Sequence, residues 1–260
     1  MHLTSFKYYL LDMDGTVYLG ERLIPGSLQF LKTLEKQGKK YYFLTNNSSF
    51  NSRTYVKKLH RLGLTEASNK QVITSGEATA WHLASNGEKR VYLLGTPELE
   101  LDFLRAGHVL VSESPNVVVL GYDKTLHWGR LEQACKFIRQ GIPFYATHPD
   151  INCPSEEGPL IDAGSLIKAI EVSTGVSPVV IGKPHVSMVE YALHRCGGTR
   201  EKTVMIGDRL YTDIAMGNQS GITTILVLSG ETIMEDLNDS PYSPDYVFPS
   251  LAEIAKKLSD

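Results

Sequence analysis

The chain has 260 residues, 42% of them hydrophobic and 21% charged, and a formal net charge of −3 at pH 7. These values suit a folded protein with a sizeable core, in one large domain or two modest ones. They exclude a nucleic-acid binder built on basic runs and a membrane-spanning chain, since apolar stretches such as Val117–Leu120 are far too short.

Three widely spaced cysteines, Cys135, Cys153 and Cys196, imply a reducing compartment and no disulfide framework. No CxxC or HxxxH spacing suggests zinc. Asp12 interrupts the first apolar segment, so no signal peptide is expected and the location is read as cytoplasmic.

Tyr8–Leu11 reads as a buried strand ending on Asp12 and Asp14, with a turn at Gly15-Thr16. Two acids there are costly to bury without a partner, which points to a cation between them. Tyr18–Gly26 suggests a small hairpin. A helix is expected from Ser27 to about Gln37, with Leu28, Leu31 and Leu34 on one face. The strand Tyr41–Leu44 ends on Thr45-Asn46-Asn47-Ser48-Ser49, a run rich in hydroxyls and amides. A helix capped by Asn51 or Ser52 follows to about Leu62. Val72-Ile73 is a short strand, with a helix after it to about Ser85 and a turn at Asn86-Gly87.

A new unit begins there. Strands are expected at Val91–Leu94, Val109–Val111, Val117–Leu120 and Phe144–Ala146, with helices from Pro97 and over Trp128–Arg139. A polar loop with two prolines spans Thr147–Pro154, and a helix runs from about Ser165 to Ser173. The strand Pro178–Ile181 leads to Gly182-Lys183-Pro184, and a helix covers about Ser187–Arg195. The strand Thr203–Ile206 ends on Gly207-Asp208, and a helix begins near Thr212-Asp213. Strands at Ile222–Leu228 and Tyr246–Phe248 and a last helix from Ser250 close the chain. Phe50, Tyr122 and Trp128 are read as core or domain-interface residues.

Alternating strands and helices in the first and last thirds imply an α/β fold with a doubly wound parallel sheet. Such sheets bind ligands beyond the carboxyl ends of their strands. Asp12, Asp14, Thr45, Lys183 and Asp208 all fall at such ends. Each alone has an ordinary reading as a turn, a cap or a surface charge; their joint placement points to phosphoryl transfer aided by a divalent cation. Asp12, ionised at neutral pH, is the candidate nucleophile. Asp14 suits the acid–base role, protonating the leaving oxygen and then activating water. Thr45 would donate to a phosphate oxygen, Lys183 and Mg²⁺ would offset repulsion, and Asp208 would ligate the metal. Asp213 would hold the metal's water shell or orient Lys183.

The same residues carry a family resemblance. Asp12-Met13-Asp14-Gly15-Thr16 resembles the first motif of the haloacid dehalogenase superfamily. Thr45-Asn46, Lys183-Pro184 and Gly207-Asp208-x-x-x-Thr212-Asp213 resemble its second, third and fourth. The segment containing Thr147-His148-Pro149-Asp150 resembles the type-2 cap of the NagD-like phosphatases of subfamily IIA, relatives of 4-nitrophenylphosphatases. The resemblance implies a Rossmann-like core at 1–87 and 179–260 with an α/β cap inserted at 88–178. It implies Mg²⁺-dependent hydrolysis of small phosphate monoesters, such as sugar phosphates, nucleoside monophosphates or aryl phosphates, through a phosphoaspartate at Asp12. The backbone carbonyl of Asp14 would be a metal ligand. Thr45, Asn46 and Lys183 would bind substrate, and Asp150 is the expected substrate-facing residue of the cap. Many members have Asn where His148 stands; His148 either contacts substrate or supports the loop at Pro149. Related proteins associate through their caps, which implies a homo-oligomer of that kind. Two other activities share this chemistry. One is a phosphomutase of the same superfamily. The other is a non-enzymatic phospho-acceptor switch, whose known examples are near half this length and lack an inserted domain.

Overall fold

The computed structural model describes residues 3–153 and 158–259, so Pro154, the second proline of the expected loop, lies outside the described residues. Packing divides the chain into two compact units. The first comprises 1–45, 55–73 and 184–260; the second comprises 46–54 and 74–183. Besides the residues 88–178 expected for the insert, the second unit takes in the stretch after Thr45, the helix before Asn86, and residues 179–183 that were expected in the core. Lys183 therefore follows a strand of the second unit's own sheet and not of the sheet that carries Asp12.

The chain opens with β1 (Tyr8–Asp12), the hairpin strands β2 (Tyr18–Leu19) and β3 (Arg22–Leu23), α1 (Ser27–Lys36), β4 (Lys40–Thr45), α2 (Ser52–Arg61) and β5 (Val72–Thr74). There follow α3 (Ser75–Ser85), β6 (Arg90–Leu94), α4 (Pro97–Arg105), β7 (Val109–Leu110), β8 (Val117–Leu120), α5 (Trp128–Arg139) and β9 (Phe144–Ala146). Next are β10 (Asn152–Cys153), β11 (Leu160–Ile161), α6 (Ala163–Thr174), β12 (Val179–Val180) and α7 (Val186–Cys196). The last elements are β13 (Thr203–Gly207), α8 (Ala215–Ser220), β14 (Thr223–Val227), β15 (Tyr246–Phe248) and α9 (Leu251–Ser259).

The first unit is built on a six-stranded sheet of order β15-β14-β13-β1-β4-β5. β1 pairs in parallel with β4 on one side and β13 on the other, with Leu10 opposite Tyr42 and Met205. Tyr9, Leu10 and Leu11 are wholly buried, as a parallel sheet covered on both faces requires. Each such side chain contributes roughly 1.5–3 kcal/mol on burial. The chain runs outward from β1 to β5, then restarts at β13 and runs to β15. The reversal of strand order beside β1 puts the ends of β1 and β13 at a topological switch point, where open α/β sheets leave a crevice.

The second unit holds a separate five-stranded sheet, β12-β9-β8-β6-β7, in which every neighbouring pair is parallel. One core packs Tyr92, Leu94, Val118, Phe137 and Ile170; another packs Leu83, Leu93, Leu99, Phe103 and Val119. No helix among the described residues is long and apolar enough to cross a membrane.

Three expectations are corrected here. The buried face of α1 is Ser27, Phe30, Leu31 and Leu34, and Leu28 is 40% exposed. The spacing 27-30-31-34 follows the helical repeat, whereas three leucines taken at steps of three drift around the cylinder. The expected polar loop supplies one strand of a short antiparallel ladder, with Asn152 opposite Ile161 and Cys153 opposite Leu160. Two residues a side are too few to carry an alternating pattern. Of the three aromatic residues, Tyr122 is buried, but Phe50 is 39% and Trp128 74% exposed.

Candidate active site

In the first unit, β1 and β13 deliver Asp12 and Asp208 to the same sheet edge. Asp208 directly follows β13, and the turn after it takes Asp213 back toward that edge. The turn is of the wide π type over Leu210–Ile214, and Asp213 Oδ2 accepts from the Arg209 N–H at 3.2 Å. Ligand oxygens of Asp12, Asp208 and Asp213 lie within 4.8 Å of one another, and all three residues are buried. Asp208 also accepts from Thr16 Oγ1 at 3.3 Å and from the Glu231 N–H at 2.7 Å. Gly15 has a φ of +86°, and a Cβ there would collide with the Asp208 carboxylate, so the turn after β1 needs glycine twice over. Arg209 Nε lies 2.8 Å from Glu231. Burial disfavours its charge, but Tyr211, Glu231, Asp12 and Asp208 together hold its pKa above the ordinary arginine value.

Three buried like charges this close repel strongly unless a cation offsets them. The donors are all hard carboxylate oxygens, the set that suits Mg²⁺ or Ca²⁺ and not a soft metal. The residues present therefore fit a divalent cation.

Asp14 is not in that triad. Its Oδ2 accepts from the Tyr18 hydroxyl at 3.2 Å, and Tyr18 is wholly buried. Burial and the neighbouring Asp14 push the Tyr18 phenol well above its ordinary pKa, so it stays a donor. Thr45, the last residue of β4, stands one position beyond Leu44, the register partner of Asp12.

In the second unit, the Asn46 carboxamide grips the backbone of Lys183. Its Oδ1 accepts from the Lys183 N–H at 2.8 Å, and its Nδ2 donates to the Lys183 carbonyl at 2.9 Å. The same Nδ2 lies 3.2 Å from both oxygens of Asp150. Ser75 Oγ donates to the Asn46 carbonyl. His148 is wholly buried, with Nδ1 2.9 Å from Thr147 Oγ1 and Nε2 2.9 Å from Asp162 Oδ1. Thr147 Oγ1 is in turn 2.9 Å from Ser48 Oγ. Burial opposes protonation of His148, but the bond to Asp162 and the charges of Asp162 and Asp150 outweigh it and raise its pKa.

The structure thus brings Asp12, Asp208 and Asp213 together in one unit. In the other it joins Asn46, Lys183 and Asp150 in one cluster and His148 with Asp162 in a second. Both ring nitrogens of His148 are engaged by the protein. Sequence reasoning placed Thr16 and Ser48 within motifs but gave them no role, and it missed Tyr18, Ser75 and Asp162. Of those three, Asp162 had a visible signal, as an acid just before the apolar run of α6.

Comparison with known proteins adds to this geometry. The family model described as haloacid dehalogenase-like hydrolase matches residues 9–108, and one described as HAD-hydrolase-like matches 180–254. A 5'-nucleotidase of Bacillus subtilis is 36% identical over 252 residues, covering 96% of this chain and 98% of its own. A dihydroxyacetone phosphatase of Corynebacterium glutamicum is 36% identical over 253 residues, covering 97% and 92%. The crystal structure of a 4-nitrophenylphosphatase from Thermotoga maritima superposes with a TM-score of 0.94 at 49% identity, covering 98% of both chains.

Proposed function

Because this chain belongs to the haloacid dehalogenase-like hydrolases, in their NagD-like and 4-nitrophenylphosphatase-like branch, we propose that it is a Mg²⁺-dependent phosphatase that hydrolyses small phosphate monoesters through Asp12. The observation that carries the reading is the convergence of three buried carboxylates: Asp12 and Asp208 at the ends of two adjacent parallel strands, and Asp213 from the turn that follows.

In this reading an Asp12 oxygen attacks phosphorus in line with the ester bond. The phosphorus–oxygen bond to the leaving group breaks, and its electron pair stays on that oxygen, which takes the proton of Asp14. Water then attacks phosphorus, Asp14 takes a proton from it, and the bond to Asp12 breaks to release orthophosphate. Tyr18 holds the Asp14 carboxylate in place. Thr45 and Lys183 supply a hydroxyl donor and a positive charge for the phosphoryl oxygens. Asp12, Asp208, the Asp14 carbonyl and Asp213 would hold Mg²⁺, which when bound neutralises charge on the phosphoryl group. The residues 88–178 serve as the cap that selects the leaving group. The relatives' names speak of a nucleotide, a ketose phosphate and an aryl phosphate, which supports small monoesters as a class without choosing one of them.

The test is phosphate release from a metabolite panel with and without Mg²⁺, comparing the unmodified protein with Asp12→Asn. Mg²⁺-dependent release lost in the variant supports the reading. Equal release by both proteins, with contaminating phosphatases excluded, overturns it.

A further inference from the structure

The three bonds of the Asn46 carboxamide leave it one usable orientation. An amide presents an oxygen that only accepts and an NH₂ that only donates. Here the oxygen takes the Lys183 N–H, one amide hydrogen goes to the Lys183 carbonyl, and the other faces Asp150. Rotated by half a turn, the same group would set its oxygen against both a carbonyl and a carboxylate. Asp150 therefore strengthens the one orientation in which the clamp fits the Lys183 backbone, through a charge-assisted bond of the stronger kind.

Asp150 is itself held firmly. Its carbonyl accepts from the Gly164 N–H at 2.8 Å, at the start of α6. Two residues earlier, His148 is pinned between Thr147 and Asp162. The Thr147 carbonyl accepts from the Gly182 N–H at 2.8 Å, next to Lys183. A Cβ on Gly182 would meet that carbonyl and Asn46 Oδ1, so the two segments approach as closely as backbone allows. Lys183 and Asn46 are both nearly inaccessible, at 3% and 6% exposure.

We infer that Asp150 is a positioning residue: acting through the Asn46 carboxamide, it fixes the backbone of Lys183, and it makes no contact with the leaving group. This deepens the phosphatase reading and rests on it, because Lys183 is the residue that reading assigns to the phosphoryl group. It reverses the expectation that Asp150 faces substrate.

A positioning role and a substrate contact differ in how their loss depends on the leaving group. The experiment uses the full chain at saturating Mg²⁺ with two unlike substrates, 4-nitrophenyl phosphate and glycerol phosphate. Asp150→Ala lowers kcat about 5- to 10-fold by the same factor on both, with KM unchanged within about twofold. Asp150→Asn, which keeps an acceptor oxygen, restores most of the loss. Adding Asp150→Ala to Asn46→Ala costs nothing further, since the clamp is already gone. A loss that differs between the substrates, or that adds in the double variant, overturns the inference. Hydrogen exchange at the Lys183 amide gives a readout free of turnover: it quickens in Asp150→Ala, and an unchanged rate also overturns the inference. Faster exchange with no phosphate release even from the unmodified protein would leave the clamp standing and sink the phosphatase reading alone.

Discussion

The Tyr18 hydroxyl donates to Asp14 Oδ2 at 3.2 Å from a wholly buried ring, four residues down the chain. The turn between them is tight: the Gly15 N–H reaches the Tyr18 carbonyl at 2.8 Å, and the Val17 and Tyr18 N–H groups both reach the Met13 carbonyl. Asp14 is thereby held by an internal donor that is not part of the carboxylate triad. If Asp14 is the acid and base, Tyr18→Phe lowers kcat about tenfold, the worth of one hydrogen bond to a charged group, with little change in KM. Steady-state kinetics checks this, and an unchanged kcat removes Tyr18 from the machinery.

Asp213 lies in the triad with Asp12 and Asp208. Asp213→Asn is expected to raise the Mg²⁺ concentration for half-maximal activity by roughly 10- to 100-fold. Asp12→Asn is expected to abolish turnover at any Mg²⁺ concentration, and chelation with EDTA to silence the unmodified protein. Mg²⁺ titration of activity, with calorimetry for binding, reads all three.

Asp102 on α4 is 6% exposed and pairs with Arg105 at 3.2 Å. Burial, with help from Glu77 and Glu98 and against Arg105, pushes its carboxyl up to about 7. A raised folded-state pKa means the folded state binds the proton more tightly, so this group's contribution is fully present below about pH 4 and is lost as pH rises to about 7. Asp102→Asn should therefore gain at least about 1 kcal/mol over the unmodified protein at pH 8 and little at pH 4. Denaturant midpoints at the two values give the comparison.

The His148–Asp162 pair has the same sign for a different reason. Burial opposes the imidazolium, but Asp162 and then Asp150 raise the folded pKa above 6.5. The ionic part of the pairing is present below that value and fades as pH rises through the folded pKa. His148→Gln should melt further below the unmodified protein at pH 5.5 than at pH 8.5. Thermal melts that differ by the same amount at both would assign the pair a purely packing role.

Much of this was legible in the chain because buried parallel strands are short apolar runs with functional groups at their ends. Tyr8–Asp12, Lys40–Thr45 and Thr203–Gly207 all have that form. The helix Trp128–Arg139 was also legible, with the same bounds in sequence and structure. What stayed hidden depends on contacts between distant positions. Asp213 was expected near the metal's water shell, but its place within the triad itself comes from the wide turn over Leu210–Ile214, which no local pattern shows. His148 and Asp162 are 14 residues apart with a short ladder between them, and no local pattern announces that they meet.

The pairing of β1 with β13 also has a bearing on biosynthesis. Tyr8 lies opposite Thr203, so the flank of β1 that β13 will cover stays open while the intervening residues are made. At roughly 5–20 residues per second that wait lasts about 10–40 s on the ribosome. Throughout it, the nascent chain carries an apolar strand with unpaired backbone on one edge, next to the acidic pair Asp12 and Asp14. The second unit's five-stranded sheet, by contrast, is drawn from residues 90–180 alone and can close before β13 has emerged. Shielding of that edge by a chaperone, or a pause in translation before residue 203, would therefore change the yield of folded protein more than it would for a chain whose central strand finds both neighbours early.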